Sequence, residues 1–266
     1  MNLVDVHSHL EHERFKKDLD KVIDNARSKC VKVIISSGVN PETNRAALKL
    51  SEKYDIVKAS FGLYPIDALM NEVKIENPSD FTRNIEKFDV DDELGWIDKN
   101  KDKCIAIGEI GLDYNWPDFS VFKEEQKRNF EKVLKLAEKL DKPVVIHSRK
   151  AEQDAIEILE KYRLKVIMHC FSGKKSLIKR GVEKGFYFSV PPVITRLLHF
   201  KTLVEMVPLE QLLTETDAPY LSPVAGERNE PANVAVTIEE IAKIKKLSKE
   251  EVAEQIWKNA NKVFKF

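Results

Sequence analysis

Val4-Asp5-Val6-His7-Ser8-His9, close to the N-terminus, reads as the end of a β-strand that carries two imidazoles. A strand over Leu3 to His7 alternates its side chains, so Asp5, His7 and His9 are expected on one face and Val4, Val6 and Ser8 on the other. Imidazole nitrogen is the commonest protein ligand for a divalent transition ion, and two of them two residues apart make half of a metal site. The other half must come from elsewhere in the chain.

Downstream, apolar runs alternate with helical periodicity. Phe15, Leu19, Val22, Ile23 and Ala26 recur at helical spacing up to about Cys30, and Val31 to Ser36 is a short β-branched strand. Asn40-Pro41 supplies an N-cap and a first-turn proline for a helix through Lys53. Ile56 to Phe61 is the third strand, followed by a long polar loop and a helix before Asn100, and Cys104 to Glu109 is the fourth. Phe122 to Leu140 places Phe130, Val133, Leu134, Ala137 and Leu140 on one helical stripe. Pro143 to His147, Lys165 to His169, Phe186 to Ser189 and Leu212 to Thr216 are strands five to eight. Helices are expected over about Ala151 to Tyr162 and about Leu177 to Lys184, and Ser248 with Glu251 forms a capping box that opens the last one. Eight strands alternating with helices, without an internal repeat or linker, predict one α/β domain over residues 1–266, a TIM (β/α)8 barrel. An open doubly wound sheet would require a glycine-rich phosphate loop after the first strand, and this sequence has none there.

Composition narrows the function. Lys plus Arg equals Asp plus Glu at 44 each, so no global field draws the protein to nucleic acid or to an acidic membrane, and a polyanion would have to be gripped locally. Cys30, Cys104 and Cys170 lack C-x-x-C spacing, which argues against a disulfide framework and for a reducing compartment, with the thiols as small apolar fillers. The first strand starts at about residue 2, which leaves no space for a cleavable leader, and no apolar run approaches ~18 residues. The expectation is a cytoplasmic protein with no membrane segment and no obligate protein partner inferable.

The strand ends carry the chemistry. His7 and His9 close strand one, Glu109 strand four, His147 strand five, His169 strand six and Asp217 strand eight. Parallel barrel strands share one C-terminal rim, where active sites of this fold are built. Six donors exceed the four of one tetrahedral ion, so two divalent ions sharing a carboxylate are the economical arrangement. Glu109 is the natural bridge, His7, His9 and Asp217 complete one ion, and His147 and His169 serve the other. Two cations ~3.5–4 Å apart can activate a hydroxide and stabilise the oxygens of a phosphodiester, with Asp217 as general base. The donor set admits Zn, Mn, Co or Fe, and Mg less comfortably.

Asp5-x-His7-x-His9-Leu10, Gly108-Glu109-Ile-Gly-Leu-Asp113-Tyr114, His147-Ser-Arg149, His169-Cys-Phe-Ser-Gly173, Glu215-Thr-Asp217-Ala-Pro-Tyr-Leu221 and Arg228-Asn-Glu230-Pro231 occur in this order. Together they resemble the TatD-type metal-dependent deoxyribonucleases of the amidohydrolase-like superfamily. The resemblance spans residue 5 to Asn259. It implies a TIM barrel with two divalent ions that hydrolyses DNA, often as an exonuclease on single strands or ends. It also implies His7, His9, Glu109, His147, His169 and Asp217 as ligands, with Glu109 and Asp217 catalytic. Much of the family carries Gly-x-His-Pro after the third strand, with the histidine facing the substrate phosphate; here the loop is Gly62-Leu63-Tyr64-Pro65.

Tyr64 is thereby a candidate substrate contact, but it donates one hydrogen bond and carries no positive charge at neutral pH, which puts phosphate affinity or substrate choice in question. Arg149 is a candidate phosphate fork, and the alternative for it is an ion pair with a rim carboxylate. Arg228 and Glu230 are expected to cap the mouth, with Glu230 on Arg149 or another rim base. Asp113, Tyr114 and Trp116 are expected to fix loops, and His12 and His199 to be solvated. A hydrolase of amide, ester or deamination substrates on the same dinuclear site is the alternative, and a barrel used for binding alone is the third.

Overall fold

The computed structural model describes residues 1–69, 86–116 and 122–266. Its strands are β1 (Leu3–Ser8), β2 (Val31–Ser37), β3 (Val57–Leu63), β4 (Ala106–Asp113), β5 (Val144–Arg149), β6 (Val166–Met168), β7 (Tyr187–Val190) and β8 (Leu212–Thr214). Each pairs in parallel with the next in sequence, so spatial order repeats chain order. Between them run α1 (Leu19–Ser28), α2 (Pro41–Lys53), α3 (Val90–Lys99), α4 (Lys123–Lys139), α5 (Glu152–Leu159), α6 (Lys175–Glu183) and α7 (Leu198–Met206), with α8 (Val234–Lys245) and α9 (Lys249–Phe264) at the end.

The last strand is joined back to the first. Ser8 bridges Ala218, the Thr216 and Asp217 amides donate to His7 O, and the His9 amide donates to Ala218 O at 2.8 Å. The Thr214 hydroxyl donates to Val4 O. Edge groups that a parallel sheet would leave open are thereby paired, and the arrangement is the expected (β/α)8 barrel. Among the described residues, no helix is long and apolar enough to cross a membrane.

The helices start where local chemistry says. Asn40 accepts from the Thr43 amide with Pro41 at the first helical position, and Ser248 and Glu251 exchange reciprocal bonds at the start of α9. Phe130, Val133, Leu134 and Ala137 of α4 are buried against the sheet, whereas Leu140 is only half-buried at the helix end. Part of the polar loop expected after Pro65 falls on 70–85, outside the described residues.

Several expectations need correction. Strand β4 does not stop at Glu109 but runs on to Asp113, with register irregularities against β3 between Phe61 and Leu63 and against β5 between Ile107 and Ile110. An irregularity of this kind re-aims a side chain inside a strand, so Glu109 enters the barrel from mid-strand. β5 continues to Arg149, and β6 ends at Met168, leaving His169 just beyond it. Cys104 is a buried filler, but Cys30 is exposed at φ 64° in the turn that closes α1.

Candidate metal centre

Four side chains converge at the mouth. The Nε2 atoms of His7 and His9 lie 3.3 Å apart. Glu109 Oε2 is 3.6 and 3.5 Å from them, and Asp217 Oδ1 is 3.5 and 3.4 Å. Ligands ~2.0–2.2 Å from a tetrahedral ion stand ~3.3–3.6 Å from one another. All five spacings fall in that range, so each carboxylate oxygen completes a triangle of ligand-spaced atoms with the two imidazoles, and His7, His9 and Asp217 form one compact donor group and His7, Glu109 and His169 another.

The remaining imidazole nitrogens are fixed from behind. His9 Nδ1 donates to Ser37 O at 3.0 Å and lies 3.3 Å from Glu11, while His7 Nδ1 pairs with the Ser37 hydroxyl. One residue of β2 therefore aims both rings of the D-x-H-x-H stretch. Holding the far nitrogen leaves the near one for an ion, and such partners raise ligand basicity. Nothing in the sequence marks Ser37, because its bond is made across strands by a residue of ordinary type.

On the other side of Glu109, Oε1 accepts from His147 Nδ1 at 2.8 Å, and His147 Nε2 donates to Asp113 at 3.1 Å. His169 stacks on His7 with ring centroids 3.9 Å apart, and the rings of His147 and His169 are 6.3 Å apart. His169 Nδ1 is held by Glu215 at 2.6 Å; that carboxylate also accepts from the Ser189 hydroxyl and the Cys170 amide. Asp113 and Glu215 were not among the predicted site residues. Their signal was present in the sequence, one in the fourth-strand motif and one two residues before Asp217.

The charges fit a cation. Burial works against a charged imidazole at His7, but hydrogen bonds to Asp217 and Glu109 outweigh it and push the pKa up to about 9. Burial likewise opposes protonation of His147, which Asp113 and Glu109 nonetheless raise to about 9. Glu109 is buried, which disfavours its anion, yet bonds from His147, His7 and His9 hold it well below the usual carboxylate range. These carboxylates, Glu109, Asp113 and Asp217, thus require positive charge beside them, supplied in the protein alone by protons.

Asp5 does not join this group, although its strand parity matched that of His7. It is fully buried, accepts from the Thr216 amide and hydroxyl and the His7 amide, and so ties β1 to the segment after β8. Burial pushes its carboxyl up to about 8.

The remaining candidates divide. Tyr64 is buried, with its hydroxyl donating to Asp113 at 2.5 Å and its ring edge-on to His147. Arg149 is exposed at the rim with its guanidinium 5.9 Å from the Trp116 ring, and it pairs with no carboxylate of the described residues. Glu230 accepts from Asn25 rather than from Arg149, and Arg228 forms a fork on Asp18 and lies over Phe15. These contacts tie the loop after β8 to α1 and to the segment just before it. His12 is not merely solvated: it accepts from the Arg14 amide and meets the Tyr220 hydroxyl, and His199 pairs with Phe171 O.

Similarity to known proteins agrees with this geometry. Residues 4–265 match the TatD related DNase family. An uncharacterized metal-dependent hydrolase of Methanocaldococcus jannaschii is 37% identical over 98% of this chain and 96% of its own length. The human deoxyribonuclease TATDN3 is 36% identical over 99% of this chain and 95% of its own. The crystal structure of YjjV, a TatD homologue from Escherichia coli, superposes with a TM-score of 0.85 at 27% identity, covering 99% of this chain and 98% of that one. With six motifs in order, a closed barrel and the convergent donors at its mouth, the chain belongs to the TatD-related DNase family.

Proposed function

We propose that this protein is a divalent-metal-dependent deoxyribonuclease that hydrolyses phosphodiester bonds of DNA at a dinuclear centre built from His7, His9, Glu109, His147, His169 and Asp217. The observation that carries the reading is the set of five donor spacings of 3.3 to 3.6 Å among His7, His9, Glu109 and Asp217. Glu109 supports a bridging role because its two oxygens face different imidazoles, Oε2 toward His7 and His9 and Oε1 toward His147. The first ion would be held by His7, His9, Asp217 and Glu109, the second by Glu109, His147 and His169. Mixed imidazole and carboxylate donors favour Zn²⁺ or Mn²⁺ over Mg²⁺, which prefers oxygen.

Such ions, when bound, supply Lewis acidity toward the attacking water and the phosphoryl oxygens. The chain's own residues orient and exchange protons. Asp217 has the most open side chain of the four clustered donors, 16% exposed, which suits it to accept the water proton as the new P–O bond forms and the bond to the leaving oxygen breaks. His7 and Glu109, at 0% and 6%, are walled in and serve to hold geometry.

Arg149 would grip a phosphate oxygen of the strand entering the mouth. Replacing Arg149 with Ala removes one charge-assisted hydrogen bond, so KM for an oligonucleotide should rise about tenfold with metal uptake unchanged. Arg149→Lys should recover only part of that, since a point charge replaces a planar fork. An unaltered KM in steady-state kinetics would remove Arg149 from the substrate site.

With no net charge to hold a duplex, attack on single strands or ends fits best. Three free cysteines fit a reducing, cytoplasmic setting. Incubating the protein with end-labelled single-stranded and duplex DNA in Mg²⁺, Mn²⁺ or Zn²⁺ and mapping products tests the activity. Mononucleotides released from one end in a metal-dependent manner are expected; no cleavage with any metal would refute it.

A further inference from the structure

The two histidines assigned to the second ion are each backed by a buried carboxylate, but the supports differ. Glu215 holds His169 and is itself held by Ser189 and by the Cys170 amide. Asp113 holds His147, and its own anchors are the Asn115 amide on Oδ1 at 2.8 Å and the Tyr64 hydroxyl on Oδ2 at 2.5 Å. Oδ2 thus receives both the tyrosine proton and the imidazole proton. Gln126 clamps the Asp113 backbone at N and O, so the carboxylate's position is set by β4 and α4, and its rotation by Tyr64 and Asn115. Tyr64 is placed in turn by its own amide, which donates to Val39 O.

We propose that Tyr64 is a positioning residue for the second ion, acting through Asp113 to hold His147 with Nε2 protonated and Nδ1 aimed at Glu109, rather than a contact to substrate phosphate. The proposal rests on the dinuclear reading above. A buried tyrosine whose hydroxyl is spent 2.5 Å from a carboxylate has no donor left for a phosphate in the mouth. A histidine ligand, by contrast, depends on the hydrogen bond to its other nitrogen for tautomer and ring angle. The need is greater at His147, because its Nδ1 sits at hydrogen-bond distance from Glu109, 2.8 Å, and must open to ligand spacing as an ion enters. The first-ion donors stand at ligand spacing already.

The test is titration of the metal-free protein with Mn²⁺, followed by the electron paramagnetic resonance of the free ion, for wild type, Tyr64→Phe, Asp113→Asn and the double variant. Wild type should take up one ion tightly and one more weakly. Tyr64→Phe keeps the ring and its packing; it should leave the tight step within twofold and weaken the second about tenfold, in the range found for outer-shell partners of metal ligands. At saturating Mn²⁺ its KM for oligonucleotide should match wild type. The double variant should be no weaker than Asp113→Asn within twofold, because both act along one path. Unchanged second-step affinity in Tyr64→Phe, additive losses in the double variant, or a raised KM at saturating metal would each overturn the proposal. A wild type that takes up only one ion would overturn it together with the dinuclear reading, whereas two ions in wild type and in Tyr64→Phe alike would overturn it alone.

Discussion

Glu109→Gln should abolish measurable hydrolysis, lowering kcat/KM by about 10³-fold or more, because it removes a carboxylate that faces His7 and His9 with one oxygen and His147 with the other. Glutamine keeps the volume of the side chain but replaces an anionic oxygen pair with one neutral acceptor and one donor. The donor would point its hydrogens either at His7 and His9, which lie 3.5 to 3.6 Å from Glu109 Oε2, or at His147, from which Oε1 accepts at 2.8 Å. Paired ions contribute several kcal/mol of transition-state charge stabilisation, and each ~1.4 kcal/mol is a factor of ten in rate. Uptake of Mn²⁺ should fall by at least one ion at concentrations that fill wild type. Retained cleavage in Glu109→Gln, with inductively coupled plasma analysis giving the wild-type metal content, would exclude Glu109 as the bridge.

Asp5→Ala should cost the protein about 3–5 kcal/mol of stability. The carboxylate satisfies the Thr216 amide, the Thr216 hydroxyl and the His7 amide at a fully buried seam, and each orphaned donor costs ~1–3 kcal/mol, partly relieved by relaxation. At ~2–4 °C per kcal/mol for a chain of this size, Tm should drop by about 10 °C. Asp5→Asn retains an acceptor for the two amides and an amide donor that can meet the Thr216 hydroxyl, so it should lose less than half as much. Calorimetric scans of the two variants test this: equal losses would mean that the hydrogen bonds to Thr216 and His7 do not carry the stability.

These two residues show where the sequence was sufficient and where it fell short. Period-two alternation correctly marked β1 as a strand, but parity cannot distinguish a donor aimed at the mouth from one turned along the strand, and Asp5 turns toward Thr216. The eight-strand alternation was legible because each apolar run is short and bounded. Strand ends were less legible: Glu109 lies inside β4, since irregular pairing with β3 and β5 lets the strand continue, and no composition signal marks a register shift. The six candidate donors were readable because histidines are rare here and four of them follow apolar runs. Of the residues behind them, Asp113 and Glu215 stand inside legible motifs, whereas Ser37 and Ser189 are hidden because their role comes only from contacts across strands. Motif order suggests that Glu230 meets Arg149 or another rim base, whereas Glu230 pairs with Asn25 within α1 and Arg228 with Asp18 at its start.

The most direct measurement is anomalous diffraction from crystals grown with Mn²⁺, recorded at the manganese edge. Two peaks about 3.5–4 Å apart are expected, flanking the Glu109 carboxylate, one among His7, His9 and Asp217 and the other beside His147 and His169. A single peak, or two peaks of which neither touches Glu109, would contradict the proposed centre.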